Sequence, residues 1–362
     1  MLINPCKMAL ESPGFARMTC IMKSALLIPV LALLTAMALP AQQAEVVSVQ
    51  KIWDKGPHNA FTDLIRFKNL FFCCFRESNG HVGGDGVIRI LISSTGDNWV
   101  DYATVAEAGV DLRDPKFQIT PDGNQLYLLC GGSIYEGTVL KGRRPRYSTS
   151  LDGKVWTPPQ KLLSEGDWLW RVTVNPADGK YYGTAYNCYP TTGGPKFEEE
   201  WSLKTYSSAD GRVWQLSSIL QVPGKPNETT LRFLKDGTAV ALVRREAGDR
   251  KGMIGVASAP YRQWSWTSLQ VPLGGPNFIE LPDGSLVAGS RGFGQTPGPH
   301  MVLYKMTKAG FEPLLELPSG GDCSYPGLLW HEGELHVSYY SSHEGKSAIY
   351  HARVRLPWVK EP

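Results

Sequence analysis

No stretch of ten or more residues between positions 43 and 362 of this 362-residue chain repeats its apolar side chains at a helical period, so helices are expected to be nearly absent there. The apolar run Ala25 to Leu39 falls short of the roughly 20 residues needed to span a bilayer, so no membrane anchor is expected. No Cys/His spacing resembles a zinc site, and neither a metal nor another cofactor is expected. A basic patch with interleaved aromatics is also missing, which argues against a nucleic-acid partner. What the chain has instead is turn-forming and aromatic residues: Gly 38, Pro 26, Trp 11, Tyr 15 and Phe 12. That balance suits a β protein with many tight turns and a large aromatic core.

Residues 1–42 read as a segment apart from the fold. Lys23 precedes the apolar run, and the small residues Ala36, Ala38 and Ala41 follow within it and after it. A basic start, an apolar centre and small residues at a cleavage site make a secretory signal, with Met18 or Met22 an alternative start. Export to the periplasm or the extracellular space is expected, and the net charge of +3 falls to about +1 without this segment. Cys6 and Cys20 leave with it. Cys73, Cys74, Cys130, Cys188 and Cys323 remain, an odd number at irregular spacing that suggests buried thiols rather than a disulfide framework.

Residues 43–362 contain a repeat. Ser93-Ser94-Thr95-Gly96-Asp97-Asn98-Trp99, Ser150-Leu151-Asp152-Gly153-Lys154-Val155-Trp156 and Ser208-Ala209-Asp210-Gly211-Arg212-Val213-Trp214 share one pattern, with Ser258 and Trp264 a faded fourth. Ser-x-Asp-Gly-x-x-Trp describes a hairpin turn whose carboxylate bonds the turn backbone, whose Gly takes φ > 0 and whose Trp covers the corner. Copies roughly 55–60 residues apart indicate a propeller or an array. Six inner turns support this: Lys68-Asn69, Asp122-Gly123, Asp178-Gly179, Asp236-Gly237, Asp283-Gly284 and Glu332-Gly333. Each separates two strands and is followed by a third and often a fourth. A six-bladed all-β propeller with four-stranded antiparallel blades is predicted over residues 43–362, with Glu45 to Asp54 closing the last blade. A double β-sandwich is the alternative.

In such a ring the starts of the innermost strands and the ends of the second strands converge on one mouth. The starts are Asn59 to Asp63, Arg113-Asp114-Pro115, Trp170-Arg171, Pro226-Asn227-Glu228, Pro276-Asn277 and Ser324-Tyr325-Pro326. Second strands end in Phe75-Arg76-Glu77, Val243-Arg244-Arg245-Glu246 and Ser290-Arg291. Arg244 and Arg245, as neighbours on a strand, point to opposite faces, and Arg244 is assigned to the mouth.

At these residues the chain resembles the sialidase (neuraminidase) family. The repeated turns are similar to its Asp boxes, and Asn227-Glu228-Thr229 through Leu234-Lys235-Asp236-Gly237 to Arg244 resembles its Asn-Glu…Leu-x-Asp-Gly…Arg block. Gly289-Ser290-Arg291 stands where a substrate arginine is expected, and Ser324-Tyr325 resembles the block of its tyrosine nucleophile. The resemblance implies a retaining exo-glycosidase releasing a terminal acidic sugar from a glycan, and a monomer is expected. Tyr325 is then the nucleophile and Glu228 its base. A phenol avoids the repulsion that a carboxylate nucleophile meets at an anomeric carbon bearing its own carboxylate. Arg76, Arg244 and Arg291 are expected to grip that carboxylate, with Arg113 and Arg171 as further candidates, because guanidinium pairs with it bidentately. A desolvated arginine cluster would itself require an anionic ligand. Asp85, in the loop Glu77 to Gly86, is assigned as general acid/base, with His81 and Glu77 as alternatives.

One departure stands out. The family opens its first blade with Arg-Ile-Pro, where this chain has Asn59-Ala60-Phe61-Thr62-Asp63. Either Arg76, Arg113 or Arg171 replaces the missing arginine, or the sugar differs from N-acetylneuraminic acid. A non-catalytic propeller that binds a glycan or a protein is the alternative reading.

Overall fold

A computed structural model describes residues 43–137, 139–187, 201–293 and 297–360. The expected leader, Cys188 and the segment Tyr189 to Glu200 lie outside these residues. Among the described residues the secondary structure is strand and turn without helix. The strands form six four-stranded antiparallel sheets, each built from consecutive strands except the last. The innermost strands are His58–Phe67, Asp111–Ile119, Asp167–Val174, Pro226–Phe233, Asn277–Glu280 and Cys323–His331. They define blades one to six.

Only two strands follow the innermost strand of blade six, and its outer edge is filled from the other end of the fold. Glu45–Trp53 pairs antiparallel with Ala348–Arg355, running from Glu45 opposite Arg355 to Trp53 opposite Ile349. This is the expected closing strand. It leaves blade one beside blade six and removes the open edges an unclosed sheet stack would present.

The strands are written for burial on both faces. Phe71, Phe72, Cys73, Cys74 and Phe75 form one continuous buried run, because blades pack against both sides of the sheet. Cys73, Cys74, Cys130 and Cys323 are buried free thiols, as their apolar neighbours suggest. The repeated turns close in one way. In the second copy Ser150 Oγ accepts from the Gly153 amide at 2.8 Å, Asp152 Oδ1 accepts from the Lys154 and Val155 amides at 2.8 and 3.0 Å, and Trp156 Nε1 donates to Gly153 O at 2.8 Å. The third copy repeats these bonds through Ser208, Asp210, Gly211 and Trp214. In the first copy Thr95 replaces the carboxylate, and the serine and tryptophan bonds persist. These turns join third and fourth strands, so they lie at the end of the ring opposite the mouth.

Candidate active site

Regular pairing fails at the mouth end of five innermost strands. The register slips between Ala60 and Asp63, Arg113 and Lys116, Leu169 and Arg171, Pro226 and Thr229, and Ser324 and Gly327. A bulge of this kind takes residues out of the ladder and re-aims their side chains. Here it releases Phe61 and Thr62, Asp114 and Pro115, Trp170, Asn227 and Glu228, and Tyr325 and Pro326. The backbone is left-handed at Phe61 (φ 64°), Asp114 (φ 49°), Ser324 (φ 115°) and Tyr325 (φ 54°). Each such residue costs on the order of 1–3 kcal/mol and persists only where its surroundings hold it. Cross-blade bonds do so. Thr62 Oγ1 donates to Tyr325 O at 2.8 Å, Ser338 Oγ donates to Thr62 Oγ1 at 2.9 Å, and Ser324 Oγ donates to Gly274 O at 2.7 Å.

The outcome is a phenol set against a carboxylate. Tyr325 Oη donates to Glu228 Oε1 at 2.5 Å, with both residues buried. Glu228 Oε2 accepts from Arg244 Nη1 and from the Gly275 amide, each at 2.7 Å. Arg244 Nη1 also lies 3.5 Å from Tyr325 Oη, and its Nη2 pairs with Glu246 at 2.6 Å. Phe61, Trp170 and Tyr340 surround the Tyr325 ring at centroid distances of 4.9, 5.6 and 5.8 Å.

Burial by itself would raise the Glu228 carboxyl, but the Arg244 charge and the bonds from Tyr325, Arg244 and Gly275 hold it below its ordinary value. Burial and the Glu228 charge together push the Tyr325 phenol well up, against the pull of Arg244. The resting pair is therefore a neutral phenol on an ionised carboxylate, the state in which a base is ready to take a nucleophile's proton.

Arg291 completes this side of the mouth. Its Nε donates to Cys323 O at 2.9 Å, and its Nη2 lies 3.2 Å from both Asp322 Oδ1 and Tyr340 Oη. Tyr340 Oη in turn donates to Asp322 Oδ1 at 2.7 Å. Arg245, on the other face of its strand, bonds Asp249 and Lys251 O, as its neighbour position required.

The remaining expected arginines are placed differently. Arg76 is fully buried and grips Asp111 through Nε at 2.7 Å and Nη2 at 2.9 Å. Arg171 is buried against both oxygens of Asp63 at 3.1 Å. Both pairs brace one blade against another. Arg113 is intermediate: it shares Asp111 at 3.2 Å, donates to His81 O at 2.8 Å and lies 5.1 Å over the Phe61 ring. Arg76, Arg113, Arg171, Arg244 and Arg291 thus each have a carboxylate of the protein's own. These pairs balance the clustered guanidinium charge within the protein itself.

The loop after blade one's second strand also divides. Glu77 turns away to Arg89 and Trp53 Nε1. His81 reaches the mouth, its ring 5.5 Å from Phe61 and its Nδ1 3.0 Å from Asp322 Oδ2. Asp85 is exposed on the same loop, with no hydrogen bond or ion pair among the described residues.

Four neighbours carried no sequence signal strong enough to single them out. Asp322 precedes the tyrosine by three positions in an unremarkable Gly-Gly-Asp stretch. Tyr340 and His58 read as ordinary strand residues. Lys116 is buried, donates to Pro115 O at 3.0 Å and lies 4.9 Å from the Trp170 ring and 6.0 Å from the Tyr325 ring. Burial, then the nearby Arg171, lower its ammonium from the ordinary value.

No protein-family model and no curated relative matches the sequence. Solved structures share the fold. A sialidase of Trypanosoma rangeli in complex with sialic acid superposes with TM-score 0.63 at 12% identity, over 88% of this chain and 59% of that one. An α-L-arabinofuranosidase of Fusarium graminearum in complex with arabinobiose superposes with TM-score 0.65 at 14% identity, over 87% of this chain and 99% of that one. This chain therefore spans little more than half the length of the sialidase and nearly all of the arabinofuranosidase.

Proposed function

We propose that this chain is a retaining exo-glycosidase acting on a terminal sugar with a carboxylate at its anomeric carbon, a sialic acid or a relative. The hydrogen bond from Tyr325 to Glu228 under Arg244 carries the reading. In the first step Glu228 takes the phenolic proton as Tyr325 Oη bonds the anomeric carbon. The glycosidic C–O bond breaks, and the leaving oxygen receives a proton from the loop of residues 77–86. Asp85 is assigned that role, with His81 the alternative. In the second step the same group deprotonates water, which displaces the tyrosyl oxygen while Glu228 returns the proton. Arg244 and Arg291 bind the sugar's carboxylate, exchanging part of their contact with Glu246 and Asp322 for it. Export through the leader suits glycans outside the cytoplasm as substrates.

A second reading has its own support. The arginines are internally paired, and the first-blade segment Asn59 to Asp63 holds no guanidinium, which suits a neutral sugar such as the arabinobiose of the Fusarium structure. In that case Glu228 itself, ionised and fixed by the Gly275 amide, is the group placed to attack. Fluorogenic sialosides and arabinofuranosides offered to the purified protein separate the two. Turnover of the sialoside abolished by Tyr325→Phe supports the first reading. Turnover of the arabinofuranoside that survives Tyr325→Phe and disappears in Glu228→Gln supports the second. Glycan binding without turnover of either returns the chain to a binding propeller.

A further inference from the structure

Beside the tyrosine, where blade six meets blade one, three metal-ligating side chains converge from distant parts of the chain. His58, His81 and Asp322 place one ligand atom each within 4.8 Å of one another. His81 Nδ1 and His58 Nε2 both address the same oxygen, Asp322 Oδ2, at 3.0 and 3.8 Å. The two imidazoles stand edge to face, 5.2 Å apart and inclined at 87°.

We propose that these residues form a binding site for a divalent transition ion of the zinc type. Two imidazoles and one carboxylate are the donor set that such ions prefer, whereas calcium and magnesium seek all-oxygen shells. Ligands at about 2.0–2.2 Å from a tetrahedral ion stand about 3.4 Å from one another, inside the range these three atoms already span. Both other features of the cluster point the same way. Asp322 Oδ1 is occupied by Tyr340 and Arg291, which fixes the carboxylate and leaves Oδ2 turned toward the histidines. His58 makes no hydrogen bond through either ring nitrogen among the described residues: Nδ1 is buried without a partner, and Nε2 stops 3.8 Å short of Asp322. Nε2, the nitrogen that faces Asp322 Oδ2, is thus available to an ion shared with His81 and Asp322.

The ion would do two things here. It would tie the loop carrying His81 and Asp85 to the start of blade six, across the seam where the ring closes. With three protein ligands it would also keep a fourth position open toward the half-exposed side of the cluster, for water or a sugar oxygen. His81 would then serve as a ligand, and proton transfer would fall to Asp85. The site stands on its own geometry, whatever the role of Tyr325.

Chelator-treated, desalted full-length protein titrated with Zn²⁺ by calorimetry at pH 7.5, with metal content counted after equilibrium dialysis, tests this directly. One ion per chain with micromolar or tighter affinity is expected. His81→Ala and His58→Ala should each weaken it at least 10-fold, while His343→Gln leaves it unchanged. Circular dichroism of each variant shows that the fold is retained. An Asp322→Asn variant guards against the case in which one histidine variant misfolds. Binding absent at about 10⁻⁴ M Zn²⁺, or indifferent to all three ligand substitutions, overturns the proposal and leaves the cluster a histidine–carboxylate hydrogen bond.

Discussion

Gly275 and Tyr325 touch so closely that a side chain on the glycine has no room. Its φ is 59°, and an added Cβ would fall 2.5 Å from the Tyr325 ring, while the amide of the same residue donates to Glu228 at 2.7 Å. One glycine in blade five thus positions both members of the pair contributed by blades four and six.

Gly275→Ala should therefore damage turnover more than stability. The left-handed backbone costs about 1–2 kcal/mol for a residue with Cβ, and the ring must move away from Glu228 to relieve the contact. A fall in kcat of about 10²-fold or more is expected, with unfolding by urea shifted by only the smaller amount. An unchanged kcat would show that the ring's position is not set by this glycine.

Glu228→Gln keeps the shape of the pair but removes its charge. On the proposed mechanism the glutamine no longer takes the phenolic proton, and Arg244 loses one of its two carboxylates. A loss in kcat of about 10²–10⁴-fold is expected, and the acidic limb of the kcat–pH profile assigned to this carboxyl should vanish. A profile that keeps the limb at reduced amplitude would assign the base elsewhere.

Asp111 and Arg76 test the division between bracing and binding arginines. Their pair is fully enclosed, so Asp111→Ala leaves a buried guanidinium without its carboxylate and should cost about 3–5 kcal/mol in urea unfolding. Arg244→Lys, at the mouth, should cost far less stability and appear mainly as a raised KM. The reverse pattern would return Arg76 to the substrate.

Much of the ring was legible because its signals are local. An Asp-Gly pair between two apolar strands names a hairpin wherever it occurs, and the Ser, Gly and Trp of the repeated turn bond within a few residues of one another. Tyr325, Glu228, Arg244 and Arg291 stand at strand starts and ends that share one mouth, and the family resemblance singled them out among the residues there. Their neighbours could not be picked out, because the bonds that place them cross blades. Asp111 meets Arg76 over a separation of 35 residues, Asp63 meets Arg171 over 108, and His81 meets Asp322 over 241. Which carboxylate faces which guanidinium depends on the bulges, and one extra residue in a strand leaves no periodic mark.

Stability should fall on the acid side before the carboxylates titrate. His336 and His351 lie in contact, with Nδ1 of one 3.2 Å from Nε2 of the other. Burial, then the Arg353 charge, lowers His336 to about 4, and burial, then His336, lowers His351 to about 3. Both are neutral in the fold, whereas the unfolded chain takes up their protons near the ordinary value of about 6.5. Their contribution is complete above that pH and declines as pH drops toward 3. The urea midpoint should fall between pH 7 and 5, and His336→Gln with His351→Gln should flatten that fall. A midpoint independent of pH in this window would contradict the assignment.

The proposed covalent step is open to one direct measurement. A fluorinated sialosyl fluoride that forms the glycosyl-enzyme quickly and hydrolyses it slowly should add one sugar mass to the protein, and peptide mapping by mass spectrometry should find it on Tyr325. Sialoside turnover in which the label sits on Glu228, or in which no adduct forms at all, would contradict the account.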